Sequence, residues 1–108
     1  MIIQAGEFWL ADIPFTDRTA SKIRPVLVLW LDGRDAVVVV VASVGPRTVT
    51  DVALADWRSA GLRVSSTVRL SRLDCLEQSM LIHRLGVLSP VDALQIKTIW
   101  DLHVKPQF

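Results

Sequence analysis

Gly6-Glu7-Phe8-Trp9-Leu10-Ala11-Asp12-Ile13 and Arg24-Pro25-Val26-Leu27-Val28-Leu29-Trp30 decide the reading of this chain. Both runs are rich in branched and aromatic residues and are bounded by turn residues, the pattern of buried β-strands. The stretch between them, Pro14 to Ile23, is polar, with Thr16, Asp17, Arg18, Thr19, Ser21 and Lys22, and is long for a hairpin connection. Long polar loops on a rigid β frame are common sites of function. Arg24 stands where this loop enters the second strand, so its guanidinium starts from rigid backbone. Its five donors suit a phosphate or a carboxylate, although the position also fits an ordinary solvated cation.

Asp32-Gly33-Arg34-Asp35 reads as a tight turn into a third strand, Ala36 to Ala42, whose unbroken β-branched run predicts cover on both faces. Gly45-Pro46 ends that strand in a loop, Thr48 to Ala53 reads as extended, and Leu54 to Ala60 reads as a short helix capped by Gly61. Along Val64 to Leu70 the alternation places Val64, Val68 and Leu70 on one side and Ser65, Thr67, Arg69 and Ser71 on the other. Ser79 to Leu85 is a further strand ending at Gly86. Ser89-Pro90-Val91-Asp92 is a helix start, and Ala93, Ile96 and Trp100, flanked by Ile99 and Leu102, give that helix an apolar face. Five or six short, mostly antiparallel strands with a terminal helix imply a small α+β unit built on a twisted sheet or partly closed barrel, one domain over residues 1–108.

At 108 residues with 51% hydrophobic side chains, the chain can bury one modest core and is not a disordered one. Its longest apolar run is far short of the ~20 residues that span a bilayer. Met1-Ile2-Ile3-Gln4 leads directly into the first strand without a charged and apolar leader, which points to a cytoplasmic protein with no membrane attachment. One cysteine, Cys75, excludes an internal disulfide and a cysteine-based metal site, and it reads as a buried or inert thiol. His83 and His103 lack the paired ligands of a metal centre and read as structural or surface residues, so no cofactor is expected. Trp9, Trp30 and Trp100 lie in apolar runs and read as core, whereas Trp57, between Asp56 and Arg58, suits a partner surface.

Net charge is only +1, yet residues 18–84 hold all nine arginines and Lys22 against Asp32, Asp35, Asp51, Asp56, Asp74 and Glu77. Arginine in place of lysine favours planar, bidentate recognition of phosphate. Arg47, Arg58, Arg63 and Arg72 would together extend a basic groove, though each singly fits a solvated charge.

The ordered pattern resembles the MazF/PemK toxins of bacterial toxin–antitoxin pairs. The likeness rests on Gly6 to Asp12, the polar loop, Arg24-Pro25-Val26-Leu27-Val28-Leu29, Ser66-Thr67-Val68-Arg69-Leu70, and Ile82-His83-Arg84-Leu85-Gly86-Val87-Leu88-Ser89 before the closing helix. The resemblance implies a small SH3-like antiparallel barrel of the CcdB/PemK type, a homodimer, and metal-independent cleavage of single-stranded RNA by the ribose 2′-hydroxyl. It also implies an antitoxin that inserts over the RNA groove. Carried over residue by residue, Arg24 matches the arginine of the family's Arg-Pro motif and Arg69 matches the second functional arginine of the PemK branch. Thr16 to Lys22, with Thr16, Arg18, Ser21 and Lys22, matches the loop over the site; Arg47, Thr67 and Ser71 complete the expected RNA contacts.

Two departures stand out. The family's threonine after the third strand falls on Ala42 here, so Ser43 is the hydroxyl expected to act in its place. The PemK aspartate two residues beyond Arg69 is Ser71, a poor base, which leaves proton transfer unassigned because arginine is a charge clamp before it is an acid. A CcdB-like gyrase poison on the same barrel fits these losses, but Trp100-Asp101 is followed by seven residues ending in Gln107-Phe108 rather than closing the chain. A degenerate toxin that only binds antitoxin is the third reading.

Overall fold

The computed structural model describes residues 2–14, Asp17 and residues 19–108. Six strands form one antiparallel sheet: β1 (Glu7–Pro14), β2 (Ser21–Asp32), β3 (Asp35–Ala42), β4 (Asp51–Ala53), β5 (Thr67–Glu77) and β6 (Leu81–Val87). They lie in the order β4-β5-β3-β2-β1-β6, with β4 and β6 as the two edges, and the helix α1 (Pro90–Ile99) follows β6. Among the described residues the sheet is open, with no ladder joining the edges.

Strand alternation splits the core in two. Phe8, Leu27, Val39, Val41, Val68 and Leu70 face α1 and the 54–62 segment, where Leu54, Ala60, Leu62 and Ile96 meet them. Trp9, Ala11, Val26, Val28, Ala36, Val38, Leu76 and Leu81 face the other way, joined by Ile3. Among the described residues no α-helix covers that second face, yet Trp9 is 1% exposed, so the sheet itself must coil over it. Bulges supply the bending: β2 slips between Val28 and Trp30 against β3, and β5 leaves Leu70, Ser71 and Arg72 without β3 partners between Leu73↔Val39 and Arg69↔Val40. β3 is thus covered on both faces, as its composition predicts.

Several local expectations give way. The β1–β2 hairpin pairs from Phe8↔Leu27 to Pro14↔Ser21, so Lys22 and Ile23 are strand residues and Arg24 lies inside β2. Residues 54–60 are not a helix. They make one turn, with Ala60 N–H to Asp56 O at 3.2 Å and Gly61 N–H to Arg58 O at 3.0 Å, and Gly61 at φ +83° ends it. Seven residues, with Asp56 and Ser59 among them able to compete for backbone hydrogen bonds, give too little propagation to offset nucleation. Val64 precedes β5 and is 52% exposed rather than in register with Val68. Trp30 is 44% exposed and stacks edge-on with Trp100 at 6.0 Å, and Trp57 packs partly buried against the helix-side core with Arg58 over its ring at 4.8 Å.

The terminal helix begins as the sequence predicts, with Ser89 Oγ accepting Asp92 N–H at 3.1 Å. Asp92 does more than complement the helix dipole. Its buried carboxylate accepts Ala55 N–H at 2.8 Å and Asp56 N–H at 2.9 Å, tying α1 to the turn. Leu102 is 60% exposed, in a π-type turn (Trp100–Val104) closed by Lys105 N–H to Trp100 O, so it does not join the helix's apolar face.

Candidate functional site

Arg24 occupies the stretch of β2 where two clefts meet. Across β1 it faces Ala11, and two residues on along the same strand Val26 is matched to Val40 of β3. By alternation the Arg24 side chain lies on the face of Val26 and Val28. Lys22, two residues back, shares that face.

The first cleft, about 480 Å³, opens there and is lined by Lys22 and Arg24 of β2, Arg72 and Asp74 of β5, Val40 of β3, and the apolar Ile13, Pro14 and Leu73. Three cations from two strands therefore surround one concave surface. Among the described residues there are two ion pairs, Arg69–Asp51 and Arg84–Glu7, and none of these three cations belongs to either. Unpaired cations gathered in a groove with an apolar floor are suited to an anion, and two guanidinium forks suit a phosphate.

The second cleft, about 680 Å³, is also bordered by Lys22 and Arg24 and runs along the opposite face past Ser43, Arg63, Ser66 and His83 over Pro25, Val41 and Leu62. Ser43 thus borders the same cleft as Arg24, from the bend after β3. Ala42, paired with Thr67, lines the second cleft beside Ser43, so the last β3 position there carries no hydroxyl of its own. His83, paired with Leu10, enters the second cleft, a placement its isolated Ile82-His83-Arg84 context does not reveal.

The remaining expected residues separate. Arg69 lies opposite Val40 and Asp51, on the face of Arg24, but it lines neither cleft and its Nε sits 3.5 Å from Asp51 Oδ1. Burial raises the Asp51 pKa; the Arg47 amide, the Arg69 charge and the Thr48 amide outweigh it and hold the carboxyl below its ordinary value. Arg47 is exposed and contributes its N–H to Asp51 Oδ2 at 2.9 Å. Thr67 is 2% exposed, inside the sheet; Ser71 is exposed on the β5 bulge, and Ser21 is exposed at the start of β2. Thr16 and Arg18 lie outside the described residues. At the hairpin tip, Thr19 donates its N–H and Oγ1 to Asp17 Oδ1 at 3.1 and 2.9 Å, and these bonds lower the Asp17 pKa.

Arg72, named with Arg47, Arg58 and Arg63 for a basic groove, does line this cleft, whereas Asp74 is the residue that the sequence did not single out. The bulge at 70–72 turns them onto it, and no local pattern announces a bulge of that size. Cys75 is exposed on β5 rather than buried; desolvation, then Asp35, raises its thiol pKa, as for an unreactive thiol.

A family model for the PemK-like, MazF-like toxin of type II toxin–antitoxin systems matches residues 4–100. No curated protein is matched by the sequence. Among solved structures, an endoribonuclease from a mycobacterial species superposes with a TM-score of 0.74 at 17% identity, over 98% of this chain and 94% of that one. A mycobacterial endoribonuclease in complex with its cognate antitoxin gives 0.74 at 18% identity, over 99% and 100% of the two chains. MazF from Deinococcus radiodurans gives 0.69 at 20% identity, over 92% and 93%.

Proposed function

We propose that this chain, which belongs to the PemK-like, MazF-like toxins of type II toxin–antitoxin systems, is an endoribonuclease that cleaves single-stranded RNA without a metal ion. The observation that carries this reading is the cleft in which Lys22, Arg24 and Arg72 meet with no ion-pair partner among the described residues. Attack of a ribose 2′-hydroxyl on its neighbouring phosphodiester turns a singly charged phosphate into a more highly charged, phosphorane-like transition state. A site with three cations and one carboxylate favours the second over the first, which is the condition for rate enhancement. In-line attack needs the 2′-oxygen, phosphorus and leaving oxygen collinear, a geometry that a stacked A-form duplex resists, so the substrate is single-stranded.

In this reading Arg24 is the central phosphate clamp, Lys22 and Arg72 hold the flanking charge, and Ser43 contributes a hydrogen bond from the second cleft. Arg69 acts as a positioning residue that keeps β4 and β5 registered beside the cleft. The chain works as one toxin domain over residues 1–108, its coiled sheet an SH3-like barrel left open at one seam, as a cytoplasmic homodimer silenced by an antitoxin. The mycobacterial and Deinococcus folds, one solved with its cognate antitoxin, support that assignment.

The test is purified protein incubated with long mixed-sequence single-stranded RNA in EDTA, with end-group analysis of the fragments and a DNA gyrase assay alongside. Fragments ending in 2′,3′-cyclic phosphate are expected from the parent protein and are lost in Arg24→Ala at an unchanged thermal midpoint. Gyrase inhibition without RNA cleavage would replace this reading with the poison, and neither effect would leave an antitoxin-binding remnant.

A further inference from the structure

We propose that Asp74 is the catalytic proton acceptor of this site, taking the proton from the attacking 2′-hydroxyl; the inference rests on the ribonuclease reading and fills the role that Ser71 leaves empty. Four observations lead to it. Asp74 pairs with Val38 of β3, two residues from Val40 and on the same face, and Val40 leads through Val26 to the face of Arg24. It is the one carboxylate among the residues lining either cleft. Among the described residues it forms no ion pair, despite sharing the cleft with Lys22, Arg24 and Arg72. Its Oδ1 is oriented by the Cys75 amide at 2.8 Å, which leaves Oδ2 without a partner among the described residues.

The β5 bulge explains why the sequence hides this group. A regular strand alternates, and a carboxylate two residues beyond Arg69 would share its face. Here Leu70, Ser71 and Arg72 leave the ladder, and pairing resumes at Leu73↔Val39. Beyond the bulge Arg72 and Asp74 reach the cleft of Arg24, so the first carboxylate there is five positions from Arg69 instead of two. The charges around it are Lys22 and Arg24 from β2, Arg72 on its own strand, and Asp32 and Asp35 of the β2–β3 turn near Cys75. His83 is set apart from it, on the Leu10 side of the sheet in the second cleft.

The step balances as follows. Oδ2 of ionised Asp74 takes the 2′-hydroxyl proton while an O2′ electron pair forms the O2′–P bond. The P–O5′ bond breaks with its pair on O5′, and O5′ takes a proton from water. Asp74 then returns its proton to the hydroxide so formed, giving a 2′,3′-cyclic phosphate end and a 5′-hydroxyl end with no net water consumed.

The experiment compares the parent protein, Asp74→Asn, Asp74→Ala, His83→Ala and Arg24→Ala on mixed-sequence single-stranded RNA in EDTA, with and without added formate or imidazole. Asp74→Asn is expected to cleave about 10²-fold more slowly or worse. Its half-saturating RNA concentration should not rise, since a negative charge has left an anion site. Asp74→Ala should be equally slow and recover about tenfold or more in formate, a small carboxylate that enters the vacated space; a merely structural aspartate is not restored this way. Parental rates in Asp74→Asn while Arg24→Ala is inactive would overturn the Asp74 assignment and leave the ribonuclease reading standing. A loss in Asp74→Ala that formate does not relieve would overturn it too, as would a loss in His83→Ala that imidazole does relieve. A parent protein that cuts no RNA would overturn both.

Discussion

Asp51 of β4 stands directly opposite Arg69 of β5, and the two form an ion pair at 3.5 Å in which the Asp51 side chain is 1% exposed and that of Arg69 17%. Removing one member of such a pair strands the other, and a stranded buried charge costs more than the pair contributes. Arg69→Ala is therefore expected to destabilise the fold by roughly 1–3 kcal/mol in urea unfolding. The double variant Arg69→Ala with Asp51→Asn should be less destabilised than the sum of the single variants. Equal additivity would show that the pair contributes little.

Arg72→Ala should behave differently. Arg72 is exposed and unpaired among the described residues, so the unfolding free energy should stay within the ordinary scatter of surface substitutions, about ±0.5 kcal/mol. RNA binding should weaken, and the slope of log affinity against log salt should fall by about one ion. The measurement is fluorescence anisotropy of labelled single-stranded RNA over a salt series. An unchanged slope would remove Arg72 from the phosphate contacts.

Acid should unfold this protein through Glu7 and Asp51. Burial raises the Glu7 pKa, but the Arg84 side chain, the Gln4 amide and Trp9 Nε1 outweigh it and hold it below its ordinary 4.5, as Asp51 is held below 3.8. A carboxyl whose folded pKa lies below its unfolded one stabilises fully above the unfolded value and loses that contribution as pH falls through the folded one. The thermal midpoint should thus be insensitive to these two groups above about pH 5 and drop steeply below about pH 4. In Glu7→Gln the drop should be shallower, read by thermal melts across the acid range.

Gly61→Ala should be among the most damaging single-methyl additions. Gly61 has φ +83°, and a Cβ there would collide with the backbone carbonyl of Leu85; a Cβ on Gly86 would meet that of Ala60. The 57–61 turn and β6 thus approach closely, and both neighbours are backbone that cannot rotate aside. A loss of roughly 3 kcal/mol or more is expected, measured by urea unfolding. Gly33→Ala is the comparison: its φ is also positive at +59°, but nothing lies within 4 Å, so only conformational strain remains.

Runs of branched and aromatic residues bounded by turn residues determined β1, the body of β2, β3, the β2–β3 turn and, through its cap, the start of α1 at Ser89, because strand and cap signals are local. The same signals placed Arg24 at the start of the second strand, beside the polar loop. Tertiary structure decided the rest. Asp92 was recruited to the 55–56 amides rather than to its own helix start, and Trp30 was paired with Trp100 at the surface. Above all, the β5 bulge took three residues out of the ladder and brought Arg72 and Asp74, not Ser71, to the cleft of Arg24. Such a bulge is fixed by how β5 must bend to pair with both β3 and β4 while the sheet coils over Trp9 and Val38. That requirement belongs to the whole sheet, and no window of neighbouring residues contains it.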